Sequence, residues 1–121
     1  MSPDFEDILV KLRQFRDERD WAQFHNAKDL ALALSIEAAE LNEQFLWKQP
    51  EQANPERVQE ELADVLLYAF QLADRYGWDI RQLMLQKIAL NAKKYPVDKA
   101  RGSAVKYDDL PFHCIEQHPT S

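Results

Sequence analysis

The sequence predicts an all-α protein. Three observations lead there: the 121 residues include only two glycines, Gly77 and Gly102, apolar residues recur every three to four positions, and Asn, Pro and Gly stand where helices begin and end. β-rich folds need more turn glycines than this chain has.

Each element follows from local signals. The first helix is expected over residues 3–19, with Ser2 as N-cap, Pro3 at the first helical position and an apolar stripe of Phe5, Ile8, Leu9, Leu12 and Phe15. A second is expected over 27–47, capped by Asn26 through the amide of Asp29, whose own acid suits the positive end of the helix dipole. The third, over 55–76, has Asn54 as N-cap, Pro55 at its first position and Gly77 to end it. Asp79 opens the fourth, over 80–95, and Pro96 stops it because proline has no amide proton and restricts the residue before it. Short connections make neighbouring helices antiparallel, a four-helix bundle. From Pro96 onward periodicity fades, giving an extended C-terminal arm and, past Pro111, a loose tail; the domain is expected over 1–111 and the tail over 112–121.

One domain fits this length. A formal charge of −6, with 21 acids against 15 bases and no basic run, argues against affinity for a nucleic-acid polymer. A lone cysteine, Cys114, has no partner for an intramolecular disulfide, so a reducing compartment fits. No apolar run approaches the roughly 18 residues that span a bilayer, and MSPDFEDILVKLRQF carries acids where a signal peptide has a basic segment. The expectation is a cytoplasmic protein with no membrane partner.

The chemistry is expected where acids interrupt apolar stripes. On the second helix Leu30, Leu34, Ala38, Leu41 and Phe45 form a stripe that contains Glu37 and is bordered by Glu40. On the third, Val58, Leu62, Val65, Ala69, Leu72 and Tyr76 form another, with Glu61 at its edge and Asp64 a turn along. Glu in a helix is ordinarily a solvated face, and an isolated ExxE pair means little. Two such pairs turned inward are different, because ionised carboxylates there need a proton, a base or a metal. Oxygen-only ligation suits a hard cation, Mg²⁺ above all. A di-iron bundle would call for ExxH pairs, and none of His25, His113 or His118 follows a Glu by three residues.

The fourth helix carries a polar row, Lys87, Asn91 and Tyr95, on the side of Ile80, Met84 and Ile88. Lys87 either pairs with an acid or neutralises a phosphate, and Asn91 is either a satisfied core amide or a reader of base or sugar. Trp47, on the flank of Glu40, and Trp21, in the first connection, either pack or stack on a base. Trp78 is read as structural. Phosphate-binding glycine loops and a serine nucleophile elbow are missing from the sequence.

The spacing Glu37-x-x-Glu40 followed by Glu61-x-x-Asp64, with LALSIEAAELNEQFLWK, QEELADVLLYAFQLA and KIALNAKKYPVDKARGSAVKYDDLP, resembles the all-α MazG-like nucleoside triphosphate pyrophosphatases, most closely their dCTP pyrophosphatase branch. It covers about residues 5–111. The resemblance implies that Glu37, Glu40, Glu61 and Asp64 ligate Mg²⁺ and that water, oriented by Glu37 or Glu40, attacks the α-phosphorus of a cytosine deoxynucleotide to release pyrophosphate. It further implies base and sugar contacts from Trp47, Tyr68, Asn91, Tyr95 and Trp21, and triphosphate contacts from Lys87, Lys94 and Arg101. Relatives often carry Arg at the position of Lys94, so a two-pronged phosphate contact becomes a single one there.

Ala63, Leu67 and Phe70 lie opposite the third helix's core stripe, so a lone bundle would expose them. A homodimer is the least this requires, and the resemblance implies a tetramer of two dimers with sites lined by more than one chain. Two rival readings are a broad house-cleaning triphosphatase and a non-catalytic helical interaction module whose acids are only a soluble face.

Overall fold

The computed structural model describes residues 3–102, and all regular structure among them is helical. Helix α1 spans Pro3–Glu18, α2 Ala27–Glu43, α3 Pro55–Tyr76, α4 Ile80–Lys94 and α5 Val97–Ala100, with single 3₁₀ turns at Ala22–Phe24 and Pro50–Gln52. The expected cap at Ser2, the tail over 112–121 with Cys114, and the end of the domain near 111 lie outside the described residues.

Local signals set the boundaries that matter most for the site. The Asn26 side chain accepts a hydrogen bond from the Asp29 amide at 2.9 Å, and its amide nitrogen donates to the Asp29 carboxylate, also at 2.9 Å. Asn54 accepts from the Glu56 amide at 3.0 Å, and Pro55 follows it at the first helical position. Gly77 ends α3 at φ +74°, a left-handed turn that a Cβ would strain.

Two expectations change. The second helix stops at Glu43 rather than at 47, because the chain turns through residues 44–47 and Trp47 takes φ +61°. The start of the arm is helical rather than extended: the Pro96 carbonyl accepts from the amides of Lys99 and Ala100 and so opens α5. Proline suits that place, since the missing donor belongs to a position outside the helix.

The chain divides after Arg81 into two compact units. In the first, α2 and α3 pack along one another and α1 crosses α3 more briefly. Leu9, Ala73 and Ile80 form its buried centre, with Phe5 and Phe70 against it. The Phe5 and Phe70 rings meet edge to face at 5.2 Å. This corrects the expected outer face of α3, since Phe70 is covered by α1 of the same chain. Arg13 ties α1 to α3 as well, donating through Nε and an amino group to the Asp74 carboxylate at 3.0 and 2.6 Å.

Much apolar surface remains uncovered. Among the described residues only Leu9, Leu30, Ala53, Ala73 and Ile80 are buried apolar side chains, whereas Leu32 and Ile36 on α2 and Leu62 and Leu66 on α3 are 45–58% exposed. The second unit holds α4 from Gln82 onward and then α5, and residues 82–93 are exposed throughout.

Candidate active site

The acids that interrupt the α2 and α3 stripes come together where those helices pack. One carboxylate oxygen each from Glu37, Glu61 and Asp64 lies within 4.8 Å of the others. Glu37 and Glu61 are half-buried and Asp64 is exposed, so the cluster opens to solvent on the Asp64 side. Glu40 stands beside it, close enough to raise the pKa of both Glu37 and Glu61.

The electrostatic result is a group of acids that resist ionising together. The Glu37 pKa is pushed up to about 7, first by its hydrogen bond with Glu40, then by desolvation, then by the charges of Glu40, Asp64 and Glu61. Glu61 is also raised, mainly by desolvation and then by Glu40. One oxygen of Glu37 and one of Glu61 are buried without a hydrogen-bond partner. Orphaned carboxylate oxygens in a cluster of acids, where the charge of Arg57 is the smallest influence on Glu61, are what a hard divalent cation satisfies, and such cations bind oxygen at about 2.0–2.6 Å. The residues present fit a metal.

The cluster forms one end of a pocket of about 630 Å³, into which Glu37, Asp64 and Tyr68 project. Trp21 lines it too, set edge-on to Phe15 at 5.7 Å and beside His25 at 6.4 Å. Desolvation, then the charges of Glu37, Asp64 and Glu40, raise the Tyr68 phenol and keep it a hydrogen-bond donor. Burial, reinforced by Arg16, lowers the His25 pKa and holds the ring neutral, with a buried Nδ1 that has no partner.

An acid quartet split between two paired helices, beside an aromatic pocket, is matched by a known pattern, for the MazG-like family model covers residues 32–110. This chain belongs to the MazG-like family. It is 44% identical over 124 residues to dCTP pyrophosphatase 1 of Bos taurus, covering 96% of this chain and 73% of that one. The Homo sapiens dCTP pyrophosphatase 1 is 40% identical over 123 residues, covering 95% and 72%. A crystal structure of a pyrophosphatase from Archaeoglobus fulgidus has a similar fold, with a TM-score of 0.73 and 36% identity, covering 79% of this chain and 95% of that one.

Of the residues singled out in the sequence of this MazG-like chain, the first unit brings Glu37, Asp64, Trp21 and Tyr68 to one pocket, with Glu40 and Glu61 completing the acid group. Trp47 lies past the end of α2 and is 98% exposed, not on the Glu40 flank that a continuous helix would give it. Lys87, Asn91 and Lys94 lie on α4, Tyr95 just beyond it, and Arg101 after α5, all in the second unit.

Sequence patterning missed Lys11, Arg16, His25 and Gln71, which also line the pocket. Arg16 and Gln71 each follow a pocket leucine, Leu12 and Leu67, by four residues, so they interrupt apolar stripes as Glu37 does. The uncovered pocket also explains why Ile8 and Phe15, expected in the core, are 37% and 47% exposed.

Proposed function

We propose that this chain is a Mg²⁺-dependent nucleoside triphosphate pyrophosphohydrolase that converts dCTP, or a cytosine-modified deoxynucleotide, to the monophosphate and pyrophosphate. The carrying observation is the three-carboxylate cluster with its orphaned oxygens at one end of an aromatic-lined pocket. The likeness to dCTP pyrophosphatase 1 of cattle and human over nearly the whole chain supplies the substrate.

Glu37, Glu61 and Asp64 hold the cation, with Glu40 completing the set from beside them. When bound, a divalent cation there neutralises phosphate oxygens and acidifies water. Glu37 and Glu40 orient the attacking water and take its proton as its oxygen bonds to the α-phosphorus and the bond to the bridging oxygen breaks, releasing pyrophosphate. Trp21 stacks on the base, and the Tyr68 phenol donates to the substrate. Triphosphate contacts from Lys87, Lys94 and Arg101, and base and sugar contacts from Asn91, Tyr95 and Trp47, are carried over from the family resemblance.

The assembly is a homo-oligomer, a tetramer of two dimers, in which the exposed rows Leu32 and Ile36 and Leu62 and Leu66 are covered by other copies. A fully exposed Trp47 then reaches a neighbouring copy's pocket. The catalytic domain spans 1–111, in keeping with a family match that runs to residue 110. Among the described residues no helix is long and apolar enough to cross a membrane, in keeping with a cytoplasmic enzyme.

Purified protein with Mg²⁺ and a panel of dCTP, 5-methyl-dCTP, dTTP, dUTP and dATP tests the reading. Monophosphate and pyrophosphate from the cytosine nucleotides are expected. Orthophosphate as first product rejects the mechanism, and equal rates across the panel favour a broad house-cleaning enzyme.

A further inference from the structure

The pocket has two chemically distinct ends. Glu37 and Asp64 line it where the carboxylates gather, and seven residues further along α3 Gln71 lines it together with Arg16 of α1. At 1.5 Å per residue, Asp64 and Gln71 are about 10 Å apart along the helix axis. A nucleotide whose phosphates lie at the carboxylate end therefore extends its base, rather than a phosphate, toward Arg16 and Gln71.

Both side chains are held for that task. Arg16 Nε donates to the exposed Asp17 Oδ1 at 2.8 Å, which leaves its terminal amino groups as donors. Gln71 Nε2 donates to the carbonyl of Leu67 at 3.3 Å, so its Oε1 is the atom left to accept. Both side chains are half-buried, where a hydrogen bond competes less with water and an unmade one is more costly. The neutral His25 ring adds no charge to that end.

Cytosine presents an amine donor beside two acceptors, N3 and O2, whereas uracil and thymine present a carbonyl and an N3–H in the first two places. We propose that Arg16 and Gln71 are specificity-determining residues, Arg16 donating to N3 and O2 of cytosine and Gln71 Oε1 accepting from its amine. This rests on the dCTP reading above and adds the atoms that make the choice. A uracil in the same pose sets carbonyl against carbonyl at Gln71 and N3–H against the guanidinium, leaving polar groups unpaired.

The test is kcat/KM for dCTP and dUTP with Mg²⁺ in the full chain and in Arg16→Met, Gln71→Leu and Gln71→Glu, each checked for helix content and melting temperature. The dCTP over dUTP preference should fall roughly tenfold or more in Arg16→Met and Gln71→Leu, mainly through KM. Gln71→Glu, which keeps an acceptor, should retain it. An unchanged preference in the first two variants, or equal loss on both nucleotides as a phosphate contact or a packing role would give, overturns the assignment. Failure of the unsubstituted protein to hydrolyse dCTP, or to distinguish it from dUTP, instead overturns the functional reading beneath it.

Discussion

Glu37 and Glu40 stand three residues apart on α2, and Glu40 is the foremost of the neighbours that push the Glu37 pKa up to about 7. A Glu37 carboxyl raised in this way holds its proton near neutrality, and a cation bound as proposed would have to displace it. The proposed metal site therefore couples cation binding to proton release at Glu37.

The first prediction follows. With Glu37 titrating at about 7 when no metal is present, cation affinity should rise with pH through neutrality, by roughly tenfold between pH 6 and pH 8. Titration calorimetry with Mg²⁺ or Mn²⁺ at the two pH values measures it, and equal affinities would remove Glu37 from the metal site.

The same shift has a stability consequence of opposite sign. Glu37 is raised from its ordinary 4.5 to about 7 in the fold, so the folded chain binds the proton more tightly than the unfolded one. That contribution is full below about pH 4.5 and is lost as pH rises through about 7. Metal-free protein should therefore lose melting temperature between pH 6 and pH 8, less so in Glu37→Gln, and Mg²⁺ should restore it.

Substituting the ligands separates chemistry from folding. Glu37→Gln and Asp64→Asn keep shape but remove ligand charge, so turnover should fall at least a hundredfold, on the order expected for a lost catalytic metal contact, while helix content by circular dichroism is unchanged. Near-normal turnover in both variants would return these acids to the role of a soluble face.

Arg13 and Asp74 offer a test of the fold alone. Arg13→Leu removes a two-pronged bond and leaves the 18%-exposed Asp74 side chain without it. A loss of about 1–2 kcal/mol is expected in urea unfolding. Kinetic constants at a temperature where the variant is folded should change little.

Assembly distinguishes two apolar faces of α3. Leu66→Glu, on the half-exposed row, should dissociate the oligomer with the helices intact, whereas Phe70→Glu should destabilise the chain itself because Phe70 packs on Phe5. Light scattering and thermal melts read the two effects separately. An intact assembly in Leu66→Glu would exclude that row from the interface.

The contrast between these faces shows what local sequence carries. The α3 boundaries are legible because Asn54, Pro55 and Gly77 act within a few residues of themselves. The end of α2 is not, since Phe45, Leu46 and Trp47 extend the apolar pattern and no glycine or proline occurs between Ala27 and Pro50. The cover over Phe70 is not legible either, because its partner Phe5 is 65 residues away, and periodicity records only that a face is apolar, not what covers it. The clustered acids are legible because ExxE and ExxD pairs are local patterns, whereas Arg16 and Gln71 belong to one wall only after α1 has packed on α3.

The three tryptophans occupy environments different enough to make one of them a built-in optical reporter. Trp47 is 98% exposed and emits from water, and Trp78 is stacked at 4.2 Å on Tyr76 with the rings 7° from parallel. Trp21 alone of the three lines the pocket, edge-on to Phe15 and beside a neutral imidazole. Its indole changes surroundings when the pocket of its own chain fills, whereas Trp47 would respond only through the pocket of a neighbouring copy and Trp78 stays stacked on Tyr76. A Trp47→Phe, Trp78→Phe background thus leaves a single fluorophore whose intensity and wavelength follow ligand arrival in real time, without a label or a turnover assay.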